Sequence, residues 1–288
     1  MQIKSQIQFQ ADQQNNQLFG FYDIPNDVYH ASPGISKSGL DMVNRSPAHY
    51  KYSPKREATP AMRIGTILHS AILEPDLFTQ EYMLLKEVTD KRKSEYKEAV
   101  KIYGAGNVLT APEVSSVHGM QEAVNANAWA NDLLTLSGMV EVSLFAPHPV
   151  TGVLLKCRFD KLTECGKGID LKTTQDASEY GFSKSVNDYR YHVQQAFYSF
   201  IYKLVTGDDL EQFYFIALEK DAPHFSKVWT LSAETVNIGV YFFTKDLESY
   251  TEAVNLDYWA FPDQSTQELS LPNWALNQFE TEIEQEIK

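Results

Sequence analysis

Between Gly152 and Lys172 the chain reads Gly-Val-Leu-Leu-Lys-Cys-Arg-Phe-Asp-Lys and then, beyond a glycine-bearing loop at 164–168, Ile-Asp-Leu-Lys. The turn pair Thr151-Gly152 in front and the glycines behind predict a strand from Gly152 to Lys161 and a second from Ile169 to Thr173. Side chains alternate along a strand, so Lys156, Arg158 and Asp160 share one face of the first strand, while Asp170 and Lys172 share one face of the second. Two carboxylates and an ammonium can thus converge. Such a cluster is costly inside a sheet unless partners or a metal offset its desolvation. A divalent cation is one such partner: magnesium takes oxygen ligands and is held by one or two carboxylates, and a nearby lysine can steady an attacking water. Spacing alone also describes a solvated hairpin face carrying a surface ion pair.

The rest of the sheet follows from period. Met139 to Ala146 alternates Val140, Val142 and Leu144 against Glu141, Ser143 and Phe145, and pairs with the Gly152 strand through the turn at 147–152. Glu141 then points toward the same site, in support and ranked below the two aspartates, since a strand-edge glutamate more often forms an ordinary ion pair. Gln212 to Glu219 and Phe225 to Leu231 read as further strands, and Ala233 to Asn255 as a covering helix.

Helix signals punctuate the remainder. Ser36 is a good N-cap for a helix over Lys37 to Asn44. Ser36, Lys37 and Ser38 at that N-terminus, with Arg45, form a candidate phosphate site, and simple capping by serine is the other reading. Pro60 to Leu73 buries Ile64, Ile67, Leu68, Ala71 and Ile72, with Gly65 permitting close approach and His69 within it. Thr110-Ala-Pro-Glu starts a helical stretch that continues to Leu136 with Trp129 as packing anchor, and Asn187 to Thr206 is a long aromatic helix closed by Gly207. On the latter, Gln194 and Tyr198 lie four apart and share a face. Gly104 and Gly106 lie in a loop that lacks the strand a dinucleotide fingerprint requires.

Composition bounds the class. At 288 residues and 43% hydrophobic content the chain suits one large domain. It lacks an apolar leader and any window near ~18 apolar residues, which predicts a soluble, unexported protein of the cytoplasm with no membrane contact. Two cysteines, Cys157 and Cys165, are too few for a four-cysteine metal cluster. The formal charge of −13 looks wrong for a nucleic-acid binder, but ten acids against one lysine crowd into residues 246–288. Between Ile35 and Ile64, Lys37, Arg45, Lys51, Lys55, Arg56 and Arg63 face only Asp41 and Glu57, a plausible backbone-binding surface. Residues 86–101 carry six bases and four acids, and Thr89 to Lys101 reads as a solvated helix whose bases are within reach of DNA. The glutamine- and asparagine-rich residues 1–18 read as a mobile arm or an added edge strand, 19–256 as a single domain, and 257–288 as an acidic extension.

Five motifs in one order, spanning Phe21 to Leu218, resemble the RecE-like exonucleases, a branch of the PD-(D/E)xK nuclease superfamily close to RecB and lambda exonuclease. They are Tyr29-His-Ala-Ser-Pro-Gly-Ile-Ser-Lys-Ser-Gly-Leu with Arg45-Ser-Pro-Ala-His-Tyr, the stretch Arg63 to Pro75 containing Gly65-x-x-x-His69, the acid of Arg158-Phe-Asp160, Asp170-Leu-Lys172, and Gln194-x-x-x-Tyr198. One departure is Phe159 where proline precedes the first acid. The resemblance implies an α/β fold with a mixed central sheet flanked by helices. It implies His69, Asp160, Asp170 and the Leu171 carbonyl as metal ligands for Mg2+, with Mn2+ as substitute, Lys172 as the catalytic lysine, and Gln194 and Tyr198 bordering the site. Arg158 joins Ser36, Lys37, Ser38 and Arg45 as a DNA-contacting candidate. The activity implied is 5′ to 3′ digestion of double-stranded DNA ends to leave a 3′ single strand, beside a RecT-like single-strand annealing protein in phage or prophage recombination. A homo-tetrameric ring is the implied assembly. An endonuclease on the same core and a non-catalytic DNA-end binder are the alternatives.

Overall fold

Caps and turn residues divide the chain where its polarity pattern breaks. The computed structural model describes residues 2–54 and 59–286. In chain order these hold β1 (Ile3–Lys4), α1 (Gln6–Gln14), β2 (Gly20–Tyr22), α2 (Asn26–Ala31), α3 (Lys37–Arg45), α4 (Pro47–Tyr52), α5 (Pro60–Leu73) and α6 (Pro75–Glu81). There follow β3 (Met83–Leu85), α7 (Ser94–Tyr103), β4 (Val108–Thr110), α8 (Ala111–Ala126), α9 (Ala128–Thr135), β5 (Gly138–Pro147), β6 (Leu154–Thr163) and β7 (Lys167–Thr174). The chain then forms α10 (Glu179–Asp188), α11 (Tyr191–Thr206), β8 (Gln212–Glu219), β9 (Ser226–Trp229), α12 (Ala233–Leu256) and α13 (Asn273–Glu286).

Seven strands form one sheet in the order β1-β2-β5-β6-β7-β8-β9, and β3 with β4 make a small parallel pair apart from it. The large sheet is mixed, since β7 pairs parallel with β8 and the β5-β6-β7 run is antiparallel. That is the expected α/β architecture. One face carries α3, α10, α11 and α12 over Leu144, Leu155, Cys157, Phe159, Phe213 and Phe215. The other carries α5, α8 and α9 over Ile169, Leu171, Ile216 and Leu218. Apolar burial of this kind contributes roughly 25 cal/mol per Å² removed from water, which holds both helical layers on the sheet.

Local chemistry accounts for the element ends. Ser36 accepts from the Gly39 amide at 3.3 Å and caps α3, and Thr110 with Glu113 closes a reciprocal capping box on α8. Lys156 is 5% exposed, and its ammonium donates to the Tyr29 and Ser32 carbonyls at 2.9 and 2.7 Å. Together with the bridge of Ile35 to Leu155, this fixes the approach to α3.

Several expectations are corrected. Residues 2–18 supply a short edge strand and a packed helix and not a mobile arm: β1 pairs with β2, Phe9 of α1 is buried, and Asp12 accepts from Lys4 at 2.9 Å and Tyr22 at 2.7 Å. Trp129 anchors nothing, being 78% exposed, because the helical stretch breaks at Asn127, which caps α9 instead. Gly65 makes no tight approach, since a Cβ there would meet Thr173 Oγ1 only at an ordinary 3.9 Å. The long aromatic helix begins at Tyr191 and not Asn187, with left-handed Arg190 (φ 55°, ψ 44°) as the break.

Candidate active site

The site lies where the hairpin comes apart. β6 and β7 pair only at Lys161 with Ile169 and Leu162 with Gly168. Beyond that point the strands splay, and the Asp160 side chain takes over a bond the ladder has lost: its Oδ2 accepts from the Leu171 amide at 2.7 Å. Alternation also resets here. Phe159 and Leu162 lie three residues apart yet both face the α11 core, and so do Val142 and Met139 opposite them. Between them Glu141 holds φ 49°, a left-handed conformation that glutamate adopts only under constraint. Glu141 and Asp160 face the α5 side, and the shift leaves Val140 lining the same cleft, off the face of Val142 and Leu144 with which period groups it.

On that side α5 delivers His69. Its Nδ1 is 3.5 Å from Asp160 Oδ2 and 3.8 Å from Glu141 Oε1, and its Nε2 is 3.0 Å from the Leu171 carbonyl. Ligand atoms of His69, Glu141 and Asp160 all lie within 4.8 Å of one another. Leu171 is thus the hub, its amide meeting Asp160 and its carbonyl meeting His69. Burial opposes charge on the imidazole, yet Asp160 and Glu141 outweigh it and raise the His69 pKa to about 9. Burial, with the nearby Asp170 and Glu141 charges, pushes Asp160 up to about 7 against the pull of His69. Glu141 is held low, burial being overcome by His69 and by Arg158, whose Nε donates to Oε2 at 2.7 Å.

Asp170 and Lys172 sit on the α11 side of the splay. Asp170 is 2% exposed, with Oδ1 accepting from Gln194 Nε2 at 2.5 Å. The Lys172 ammonium approaches Oδ2 to 2.6 Å but off the hydrogen-bond direction, so that buried oxygen makes no directed hydrogen bond. Burial lowers and Asp170 raises the Lys172 pKa; the net rise keeps it charged. Tyr198 stands against Phe159 at 5.1 Å and lines the same cleft as His69, Glu141 and Asp160. An imidazole, two gathered carboxylates and a third whose buried oxygen holds only an ion pair fit a divalent cation, which would relieve the mutual repulsion of the acids.

The phosphate candidates do not converge. Ser36 is consumed by capping and by Ser38 Oγ at 3.0 Å. Lys37 pairs with Asp41 at 2.7 Å and donates to the Tyr189 carbonyl. Arg45, exposed, ends the same helix about 12 Å further along its axis at 1.5 Å per residue. Arg158 lines the cleft but its guanidinium is bound to Glu141, Ser143 and the Ile24 carbonyl. Of the basic stretch, Arg63 holds Glu113 and the Gly106 and Val108 carbonyls, Lys51 lies over Trp259, and Lys55, Arg56 and Glu57 fall outside the described residues. In residues 86–101, Lys91 pairs with Glu113 and Arg92 with Asp90.

A family model described as "PDDEXK-like domain of unknown function (DUF3799)" matches residues 36–267. The chain belongs to this PDDEXK-like family. The match spans every residue of the splay described above. A Eubacterium rectale structure solved under the description "Putative exonuclease" is similar to this PDDEXK-like chain with a TM-score of 0.60 and 14% identity, over 88% of this chain and 98% of that one. The solved structure of SSO0001 matches at a TM-score of 0.27 and 13% identity, over 72% of this chain and 84% of that one. Among curated proteins none matches.

The PDDEXK-like centre opens into a cleft of about 1170 Å³ whose wall holds acids the sequence did not single out: Asp23, Asp27, Glu74 and Glu81. Burial and the Glu141 charge raise the Glu74 pKa. Glu74 lies five residues after His69 and caps α5, a spacing that could have marked it. Arg190, which joins Asp41 to Asp246 at 2.9 and 2.5 Å, carried no sequence signal, because its partners are on α3 and α12.

The cluster predicts a pH dependence for metal binding. In the metal-free protein His69 (raised from 6.5 to about 9) and Asp160 (raised from 3.8 to about 7) contribute stability below their unfolded values that is lost as pH rises through 7 and then 9. A cation needs both unprotonated, so its affinity climbs over that window. The increase in Tm on adding magnesium or manganese is expected to be larger at pH 8.5 than at pH 6, since that interval crosses the Asp160 titration and approaches that of His69. Differential scanning fluorimetry checks this, and a metal shift independent of pH would remove His69 and Asp160 from the ligand set.

Proposed function

We propose that the chain is a magnesium-dependent exodeoxyribonuclease that digests linear double-stranded DNA 5′ to 3′ and leaves a 3′ single strand for strand annealing. The observation that carries a metal-dependent nuclease is the gathering of His69, Glu141 and Asp160 within 4.8 Å at the peptide that continues into Asp170 and Lys172. Direction, the annealing partner and a homo-tetramer rest on the resemblance of the five motifs to RecE-like enzymes. Among the described residues no helix is long and apolar enough to cross a membrane.

In this reading His69, Asp160, Asp170 and the Leu171 carbonyl hold Mg2+, or Mn2+ in its place, with Glu141 joining them. A cation held there would supply the charge that polarises a phosphate oxygen and acidifies a water. The chain's own part is positioning. Leu171 fixes the Asp160 carboxylate, Gln194 fixes Asp170, and Lys172, kept as an ammonium, orients the attacking water and meets the charge that develops on the phosphate. Tyr198 walls the cleft. Ser36, Ser38 and Lys37 offer an α3 end for a terminal phosphate only after Lys37 leaves Asp41.

The test is digestion of linear duplexes labelled at the 5′ or the 3′ end, with magnesium, beside a covalently closed circle. The 5′ label should be released early, the 3′ label late, and the circle spared. Linearisation of the circle would establish the endonuclease reading instead. Light scattering that gives only a concentration-independent monomer would dismiss the ring.

A further inference from the structure

Tyr189 caps α10 and stands two residues before Tyr191, the first residue of α11. It is 62% exposed, yet its ring is held: it stacks on Tyr191 at 5.7 Å and 25°, and Tyr191 stacks on Phe215 at 5.8 Å and 24°. Phe182 backs Tyr191 at 6.0 Å. An aromatic column therefore runs from β8 to the surface and ends in an open ring. The centre described above is one contact away, because Lys172 Nζ is 4.7 Å from the centroid of Tyr191 and Lys37 donates to the Tyr189 carbonyl.

Between the two tyrosines, Arg190 occupies the left-handed region, which costs a non-glycine residue conformational energy and persists only where surroundings impose it. Ion pairs to Asp41 and Asp246 impose it here. The strained residue breaks the helix so that both rings can stack. Core packing does not account for this, since an outer ring left mostly in water gains little from burial. A rigid aromatic face beside cationic groups is what nucleobases bind, because every base offers a π-face and stacking is indifferent to sequence. In a duplex those faces are occupied by neighbouring pairs, so only a terminal or splayed base can use it.

We propose that Tyr189 is a stacking platform for an unpaired nucleobase of the DNA strand engaged at the Asp160–Lys172 centre. This rests on the nuclease reading. The experiment compares the wild type, Tyr189→Ala and Tyr189→Trp in calcium, with a duplex carrying 2-aminopurine in a short unpaired tail and a blunt duplex carrying it at an internal pair. Wild type and Tyr189→Trp should change the tail fluorescence on binding, and Tyr189→Ala should bind the tailed duplex about tenfold more weakly, as loss of one base stack implies. Tailed-duplex affinity of Tyr189→Ala within about twofold of wild type, or no recovery in Tyr189→Trp, overturns the platform. If the wild type cuts DNA and Tyr189→Ala shows no tail defect, only this inference falls, and Tyr189 is left as a contact for another protein. If the wild type neither binds nor cuts DNA, the nuclease reading falls and the platform with it.

Discussion

Lys172→Ala is expected to bind metal and duplex nearly as the wild type does and to lose on the order of 10²-fold or more in the cleavage step. The ammonium, half-buried beside Asp170, stays charged, so in the proposed reading its removal takes away a group that acts on the developing charge and leaves the ligand set in place. Asp160→Ala, Asp170→Ala and His69→Ala are expected to behave differently, with metal affinity and cleavage falling together, because each removes a donor. Single-turnover digestion across a magnesium titration, paired with calcium-supported DNA binding, separates the two patterns. Wild-type cleavage by Lys172→Ala or Asp170→Ala would falsify the site assignment.

Gly239→Ala is expected to destabilise the fold by about 2 kcal/mol or more, lowering Tm by about 5 °C. Elsewhere in a helix the same change would stabilise by up to about 1 kcal/mol, since glycine is a poor helix former. Here α12 crosses α11 so closely that an added Cβ would lie 2.2 Å from the His192 carbonyl oxygen and 2.6 Å from its carbon. Backbone cannot rotate away as a flexible side chain can, so the two helices must part. Calorimetry on the metal-free protein reads the effect, and an unchanged or higher Tm would show that the helices have slack.

Much of this molecule was legible because its signals are local. Ser36 and the Thr110–Glu113 box mark helix starts by hydrogen bonds within four residues, Pro60 does so by its fixed φ, the strand after Gly152 follows from period two, and that at Gln212 from a short apolar run. The acids of the hairpin were legible for the same reason. The splay was not: alternation assumes an unbroken ladder, whereas β5 and β6 skip a rung at Glu141 and Asp160 and β6 parts from β7 beyond Lys161. Period groups Val140 with Val142 and Leu144, whereas the skipped rung sets it beside Glu141 on the cleft wall. Arg45 was grouped with Ser36 by nearness in sequence, and the length of one helix separates them. Trp129 was read as core by residue type, although its position on α9 faces solvent.

The bond from the Leu171 amide to Asp160 has a further consequence for anyone redesigning or dissecting this centre. The carboxylate is a strut as well as the proposed donor to a cation, standing in for a missing rung of the sheet. Truncation to alanine therefore removes an architectural member and orphans a backbone N–H along with the charge. Asparagine keeps an acceptor oxygen at the same reach, so the isosteric change is the one that isolates electrostatics from scaffolding, and a transplanted copy of this centre must import the interrupted rung along with its side chains.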